Sequence, residues 1–228
     1  MNTTNTTVQT QEPSSRRLVM SMAIAGFISG MIIIAIYMLT FDTIKENKAR
    51  ELRLAVFKVL PHVSHMQKLH FKDNKLVVVK ADGMDDEMIF AGYDKDKKFI
   101  GYAIQGKAPG FQDTVHVLYG YLSSNSNITG MEILDSRETP GLGDKIFKDM
   151  DFVGEFINLP MHKDIKAVKK GTKTHENEID AITGATISSK VVVKIINQAF
   201  KKWSPRLAEQ GNEPALELYE AKVNKESQ

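Results

Sequence analysis

The chain has 228 residues, and its 30 lysines and arginines against 28 aspartates and glutamates give a formal net charge of +2. Hydrophobic residues at 42% and charged residues at 25% are typical of a folded protein, which excludes a wholly disordered chain. The small net charge provides no global basis for nucleic-acid binding, and the absence of cysteine excludes disulfides, cysteine nucleophiles and metal sites held by cysteine.

The N-terminal region contains a candidate membrane span. Residues 1–17 are rich in threonine, asparagine and glutamine and are predicted to form a disordered tail. Residues 18–39 carry no charge, and as a helix at about 1.5 Å per residue they cover about 33 Å, enough for a hydrocarbon core of about 30 Å. The run is longer than the apolar part of a signal peptide, so we predict a retained transmembrane helix.

The orientation of this span does not follow from its flanking charges. Arg16 and Arg17 precede it, whereas four basic residues follow it within residues 45–53. The positive-inside rule weakens when a long domain follows the span, because such domains are translocated largely regardless of charge. The charge count therefore leaves both orientations open.

After the span, the sequence pattern changes from helical to extended. Residues 40–61 carry apolar side chains at helical spacing until Pro61, which predicts a stalk helix. Short β-branched or aromatic runs separated by turn-forming residues then predict an antiparallel sheet. These runs are residues 75–80, 98–105, 115–122 and 127–134, with a further strand at 165–168.

The remaining elements are helices. Residues 142–157 suit one or two short helices, and residues 187–203 form an amphipathic helix with its lysines largely off the apolar face. Residues 204–228 are predicted to be a polar tail. The fold class is therefore α+β, with one N-terminal transmembrane helix and one domain over residues 62–203 that combines an antiparallel sheet with flanking helices.

Common catalytic and metal-binding patterns are absent from the sequence. It contains no nucleophile elbow, no P-loop and no zincin motif, and its six histidines are not spaced as metal ligands. We therefore predict no metal site and no catalytic residue.

The first segment of interest is Glu-Thr-Pro-Gly-Leu-Gly at residues 138–143. Pro140 and Gly141 predict a tight turn, and Gly143 allows the backbone to approach another group closely. From these residues alone, a connection between a strand and a helix that binds no ligand explains the segment equally well.

The second segment is Asp-Ala-Ile-Thr-Gly-Ala-Thr at residues 180–186, directly before the amphipathic helix. We expect Thr186 at the helix N-cap or just before it, where free N–H groups and the positive end of the helix favour a phosphate. Ser188 and Ser189 are expected to add hydroxyl donors. An ordinary threonine N-cap explains the same residues without a ligand.

These residues carry a resemblance to a known family. The segment 180–186 matches, at every specified position, the D-x-x-[ST]-G-A-[TS] pattern at which flavin transferases attach FMN. With segment 138–143 upstream and one N-terminal span, the chain resembles the G subunit of the Rnf (Rsx) electron-transport complex over roughly residues 18–203. The related C subunit of the Na⁺-translocating NADH:quinone reductase shares the FMN domain. The sequence Glu-Thr-Pro-Gly-Leu-Gly-Asp-Lys and the shorter chain favour the Rnf protein.

The resemblance implies a role for each matched residue. FMN would be joined through its phosphate to the Thr186 hydroxyl. A flavin transferase that uses FAD and a metal would recognise Asp180 together with the cofactor-binding positions Thr183, Gly184 and Ala185. The loop that approaches the isoalloxazine would be formed by Glu138, Thr139, Leu142 and Gly143.

The resemblance also implies partners and a location. The protein would relay electrons, without substrate turnover of its own, in a complex that couples electron transfer between ferredoxin and NAD to ion translocation. Its partners would be integral subunits with iron–sulfur chemistry, a second FMN-bearing subunit, and cytoplasmic subunits that handle ferredoxin and NAD. The FMN domain would lie on the periplasmic side of the bacterial inner membrane.

Three alternatives remain open on the sequence. They are a membrane-tethered extracytoplasmic flavin reductase, a subunit of a Na⁺-translocating NADH:quinone reductase, and an anchored sensor domain without a flavin.

Overall fold

The computed structural model describes residues 14–79, 87–207 and 213–217. The chain forms two compact units, Met1–Arg50 and Glu51–Gln228. Most of the tail predicted at residues 1–17 lies outside the described residues, as does much of the tail predicted at 204–228.

The predicted span and stalk belong to one uninterrupted helix, α1 (Ser15–Val59). Its N-terminal part is long and apolar enough to cross a membrane, by length and composition. Large apolar side chains in this part, such as Phe27 and Leu39, are exposed. The helix ends two residues before Pro61, as expected because proline disfavours helical conformation in the residue that precedes it.

Seven strands of the second unit form one antiparallel sheet with the order β2-β1-β3-β4-β5-β6-β7. The strands are β1 (His65–Lys72), β2 (Lys75–Val78), β3 (Met88–Tyr93), β4 (Phe99–Pro109), β5 (Thr114–Leu122), β6 (Asn127–Asp135) and β7 (Leu159–Pro160). The predicted antiparallel sheet is thus confirmed, and four of its strands, β2, β4, β5 and β6, coincide with the predicted runs.

The strands β1 and β3 were not predicted, for different reasons. All six residues of β3 are buried, so the strand shows no alternation of polar and apolar residues. In β1 the polar Gln67 occupies a buried position, so the alternation of apolar and polar residues that predicts a strand is interrupted.

Among the described residues, the rest of the second unit contains a small sheet and three helices. Strands β8 (Lys166–Lys169) and β9 (Glu178–Ala181) pair in parallel, whereas the sequence predicted only antiparallel pairing and did not predict β9. The helices are α2 (Lys145–Lys148), α3 (Met150–Gly154) and α4 (Thr186–Trp203), followed by a 3-10 turn at Ser204–Arg206. One or two short helices were predicted within residues 142–157, and the structure has two, α2 and α3.

The large sheet is covered on both faces. On one face α4 packs against β4 and β5, and a Cβ at Gly106 would lie 2.8 Å from the Ile195 side chain, so this glycine permits close packing. On the other face, Val56 and Val59 at the end of α1 pack with Phe90 and Leu118. The core therefore forms two layers, because successive residues of a strand point to opposite faces.

A C-terminal segment, residues 213–217, packs against β1 and β3. The Gln67 side chain donates to the carbonyl oxygen of Ala215 and accepts from the backbone N–H of Glu217, both at 3.0 Å. The Tyr93 hydroxyl donates to the carbonyl oxygen of Pro214. These bonds explain why Gln67 is buried within the sheet, and nothing in the sequence pattern predicted this contact.

Candidate functional site

The segment Glu138–Gly143 contains the tight turn that its sequence predicts. The backbone N–H of Leu142 donates to the carbonyl oxygen of Thr139 at 3.1 Å, and Gly141 has a φ of +78°. Proline at the second position and a positive φ at the third are the features of a type II turn. Pro140 and Gly141 therefore shape this loop through their own backbone preferences.

A second turn of the same design connects β9 to α4. The backbone N–H of Ala185 donates to the carbonyl oxygen of Ile182 at 3.0 Å, and Gly184 at the third position has a φ of +85°. Glycine is the residue that adopts this conformation without steric cost. The Gly-Ala pair of the sequence motif therefore has a structural reason before any ligand is considered.

The two turns meet at one cleft of about 330 Å³. A Cβ at Gly184 would lie 3.8 Å from the Leu142 Cδ2, so the turns are close enough for contact. The cleft is lined by Phe111, Glu138, Thr139, Leu142, Gly143, Gly184, Ala185, Thr186, Ile187 and Ser188. Seven of the eight residues that the resemblance assigns to FMN binding, all except Thr183, are thus brought together from two distant segments.

Thr186 lies at this cleft with an exposed side chain. It is the first residue of α4, and the N-cap is Ala185, so the expectation that Thr186 lies at the N-cap or before it is wrong by one residue. Within the part of the chain that the structure describes, its hydroxyl makes no hydrogen bond to another residue. The hydroxyl is therefore available for chemistry.

The two serines of the first helical turn are buried, in contrast to Thr186. Ser188 Oγ donates to Glu138 Oε2 at 2.6 Å, and Ser189 Oγ donates to the carbonyl oxygen of Ala185 at 2.9 Å. Ser189 Oγ also accepts from the backbone N–H of Ile182 at 3.1 Å. Both hydroxyls thus already donate within the chain, so the expectation that they add donors for a phosphate is wrong, although Ser188 lines the cleft.

Asp180 and Thr183 do not line the cleft. Asp180 lies in β9, where its carboxylate accepts from the backbone N–H of Gly171 at 3.0 Å. Thr183 is exposed on the far side of the turn, at a second cleft of about 380 Å³. That cleft is lined by Lys145, Lys148, Asp149, Lys170, Ile182 and Thr183.

Glu138 is buried, with 5% of its surface exposed, and both of its carboxylate oxygens are bonded within the protein. Oε1 accepts from the backbone N–H groups of Phe111 at 2.9 Å and Gln112 at 3.1 Å, and Oε2 accepts from Ser188. Burial raises the pKa of the Glu138 carboxyl, but the hydrogen bonds from Ser188 and the backbone of residues 111–113 lower it, and the resulting pKa lies below its usual value.

Gly143 makes this arrangement possible. A Cβ at this position would lie 2.7 Å from both Cβ and Oε2 of Glu138 and 3.0 Å from Ser188 Oγ. The close backbone approach predicted for Gly143 is thus confirmed, and within the chain the groups it approaches are the side chains of Glu138 and Ser188.

The accessible walls of the cleft are mainly apolar. Phe111, Leu142 and Ile187 line it, and each exposes half or more of its surface. Phe111 and Ile187 were not predicted as site residues. A weak signal for Phe111 existed, because it follows Gly110 between two predicted strands, and loops carry a disproportionate share of binding residues.

Comparison with known protein families agrees with this site. The family described as the FMN-binding domain matches residues 110–201, a range that includes Phe111, both turns and most of α4. The matched range therefore contains every residue that lines the cleft.

Two related proteins align with most of this chain. It is 27% identical over 183 residues to the G subunit of the ion-translocating oxidoreductase complex of Methanosarcina acetivorans, and the alignment covers 80% of this chain and 91% of that protein. It is 31% identical over 168 residues to the G subunit of the Na(+)-translocating ferredoxin:NAD(+) oxidoreductase complex of Acetobacterium woodii, and that alignment covers 71% of this chain and 78% of the relative.

Two solved structures share the fold. The C subunit of the Na(+)-translocating NADH-quinone reductase from Parabacteroides distasonis has a TM-score of 0.60 at 19% identity, covering 75% of this chain and 97% of that one. NqrC of Shewanella oneidensis has a TM-score of 0.53 at 14% identity, covering 64% and 83% respectively. These likenesses confirm the α+β fold, and the sequence relatives go further: the chain belongs to the G-subunit family of ion-translocating oxidoreductase complexes, the Rnf type.

Proposed function

We propose that the chain carries FMN joined covalently to Thr186 and relays electrons within an Rnf-type complex that couples ferredoxin and NAD electron transfer to ion translocation. Family membership and the FMN-binding domain support the coarser statement, an FMN-binding electron-transfer subunit of an ion-translocating complex. The covalent attachment and the coupling are the further steps that we infer.

The observation that carries the covalent attachment is the state of four hydroxyl groups around the second turn. Ser188 and Ser189 are buried and hydrogen-bonded, and Thr183 opens onto the other cleft. Thr186 alone among these four is exposed, makes no hydrogen bond to another described residue and lines the apolar cleft. A phosphoester at this atom would place the rest of FMN beside the two turns.

The residues of the cleft fit FMN. The volume of the cleft lies at the lower end of the roughly 300–1,000 Å³ typical of small-molecule sites. The open apolar walls of the cleft suit a flat ring that stays partly exposed to a redox partner. Gly184 contributes no side chain to the cleft, and free N–H groups in the first turn of α4 would favour the phosphate. When bound, FMN supplies one- and two-electron redox chemistry at its isoalloxazine.

The attachment itself requires only the threonine hydroxyl from this chain. Thr186 Oγ1 would lose its proton and bond to the FMN phosphorus of FAD, while the bond from that phosphorus to the AMP half breaks and AMP leaves. The transferase would supply the base and the metal. The turn of residues 182–185 would present this hydroxyl, because Gly184 holds the chain in a conformation that other residues rarely adopt.

The chain is membrane-anchored, as the apolar part of α1 and membership in a family of membrane-complex proteins support. We place the FMN domain on the periplasmic side of the inner membrane, beside the other subunits of the complex. A periplasm-specific reporter enzyme fused after Gln228 should therefore be active, and a cytoplasm-specific reporter at the same junction should be silent. The opposite pattern would place the flavin on the cytoplasmic face and overturn this part of the proposal.

Peptide mapping of the purified full-length chain tests the attachment. The peptide that contains Thr186 should carry the added mass of FMN, and fragmentation should assign that mass to this residue. Unmodified peptide from cells that contain the transferase, or an adduct assigned to Thr183, would overturn the proposed linkage.

A further inference from the structure

Phe111 is an exposed aromatic side chain on the wall of the cleft. It lies in the loop between β4 and β5, and 67% of its surface is exposed. A bond from the backbone N–H of Gly110 to the carbonyl oxygen of Asp113, at 2.8 Å, closes the loop. Phe111 shares the wall of this cleft with Leu142 and Ile187, so three exposed apolar side chains line one concave site, as is typical of small-molecule sites.

Glu138 connects this loop to the helix that begins with Thr186. Its Oε1 accepts a hydrogen bond from the backbone N–H of Phe111. Its Oε2 accepts a hydrogen bond from the hydroxyl of Ser188, two residues after Thr186. One buried carboxylate therefore holds the backbone that carries the Phe111 ring at a set position relative to the Thr186 hydroxyl. Charge-assisted bonds of this kind are among the stronger hydrogen bonds in proteins.

We propose that Phe111 is a flavin-ring contact, packing against the isoalloxazine of FMN tethered at Thr186, and that Glu138 is a positioning residue that holds Phe111 there without contacting FMN. Aromatic rings gain most from offset or edge contact with another flat ring, and Leu142 on the opposite turn would provide a second apolar contact. This inference rests on the proposed function, because it needs a flavin at Thr186.

The proposed contact is tested with the variant Phe111→Trp in the full-length, flavin-loaded protein. An indole in contact with a flavin quenches its fluorescence by electron transfer, whereas phenylalanine does not. We expect the flavin fluorescence of Phe111→Trp to fall severalfold relative to wild type. The matched control is Met150→Trp, because Met150 is equally exposed, at 66%, but does not line the cleft, and its fluorescence should equal that of wild type.

The role of Glu138 is tested in the Phe111→Trp background. Adding Glu138→Ala removes the connection between loop and helix, so flavin fluorescence should recover in part, whereas Glu138→Gln keeps an acceptor for the Phe111 N–H and should remain quenched. If the Glu138→Ala chain does not fold, Ser188→Ala replaces it, because that change removes the other end of the connection. If Glu138 had only a structural role, the Glu138→Ala and Glu138→Gln variants would show the same fluorescence at equal flavin loading.

The outcomes separate this inference from the proposed function. Intact mass reports the covalent flavin in every variant, so a wild-type chain without FMN mass contradicts the proposed function. A loaded Phe111→Trp chain with wild-type fluorescence overturns the contact at Phe111. A loaded double variant, with Glu138→Ala or Ser188→Ala, that stays as quenched as Phe111→Trp overturns the positioning role of Glu138.

Discussion

The two clefts on either side of the turn at residues 182–185 differ in chemistry although they share this turn. The cleft at Thr186, of about 330 Å³, has apolar walls and a carboxylate whose oxygens are already bonded. The cleft at Thr183, of about 380 Å³, is lined by three lysines and an aspartate. Two threonines three residues apart thus face different environments, and the comparison favours the apolar cleft for a flat ring.

The largest expected effect is on covalent flavin. Thr186→Ala should abolish the FMN adduct, because it removes the proposed acceptor oxygen, while Thr186→Ser should retain it. Thr186 is exposed and makes no capping bond, so the free energy of unfolding of the alanine variant should change by no more than about 0.5 kcal/mol. Intact mass and in-gel flavin fluorescence measure the first effect, and denaturant unfolding measures the second. A folded Thr186→Ala chain that keeps the adduct would assign the linkage to another residue.

The likeness of the two turns predicts matched losses of stability. Gly141→Ala and Gly184→Ala each force alanine into a positive φ, near +80°, so each should lower the free energy of unfolding by about 1–2 kcal/mol. Gly154→Ala is the control, because Gly154 ends the helix α3 without a positive φ and has open space around it. Denaturant unfolding of the three variants measures this. A Gly141→Ala chain as stable as the Gly154→Ala control would contradict the prediction that the two turns depend equally on glycine.

The pH dependence of stability should report the bonded state of Glu138. Since folding lowers the pKa of this carboxyl, its contribution is present above the unfolded pKa and is lost as the pH falls through the folded pKa. Wild type should therefore be more stable than Glu138→Gln at neutral pH, and the difference should shrink below the usual glutamate pKa of about 4.3. Melting temperatures of both chains across this range measure it. A difference that does not change with pH would show that the charge is irrelevant.

The smallest expected effect concerns the lysine-lined cleft. Replacing Lys145 and Lys170 together by alanine should leave the absorption spectrum of the bound flavin unchanged, because neither residue lines the cleft at Thr186. Leu142→Ala is the positive control, since it removes an apolar wall of that cleft and should alter the spectrum. A spectral change in the lysine variant at full flavin loading would instead indicate that the flavin ring lies in the lysine-lined cleft at Thr183.

Much of the fold and several site residues were predictable from local patterns. The uncharged run of residues 18–39, the turn at Pro140 and Gly141, and four strands of the sheet each follow from the preferences of nearby residues. The motif at residues 180–186 likewise contains its own turn, because Gly184 supplies the positive φ. In each case the determining interactions lie within a few residues, which is why the sequence by itself was sufficient.

What only the tertiary structure decided is the direction of side chains and the pairing of distant segments. The way α4 packs on the sheet buries Ser188 and Ser189 and leaves Thr186 exposed at the cleft, although all three lie in one helical turn. Glu138 bonds to the loop of Phe111 and to Ser188 of α4, which lie far from it along the chain. Local periodicity contains no information on these contacts, because they depend on which elements meet across the core rather than on the residues next to them.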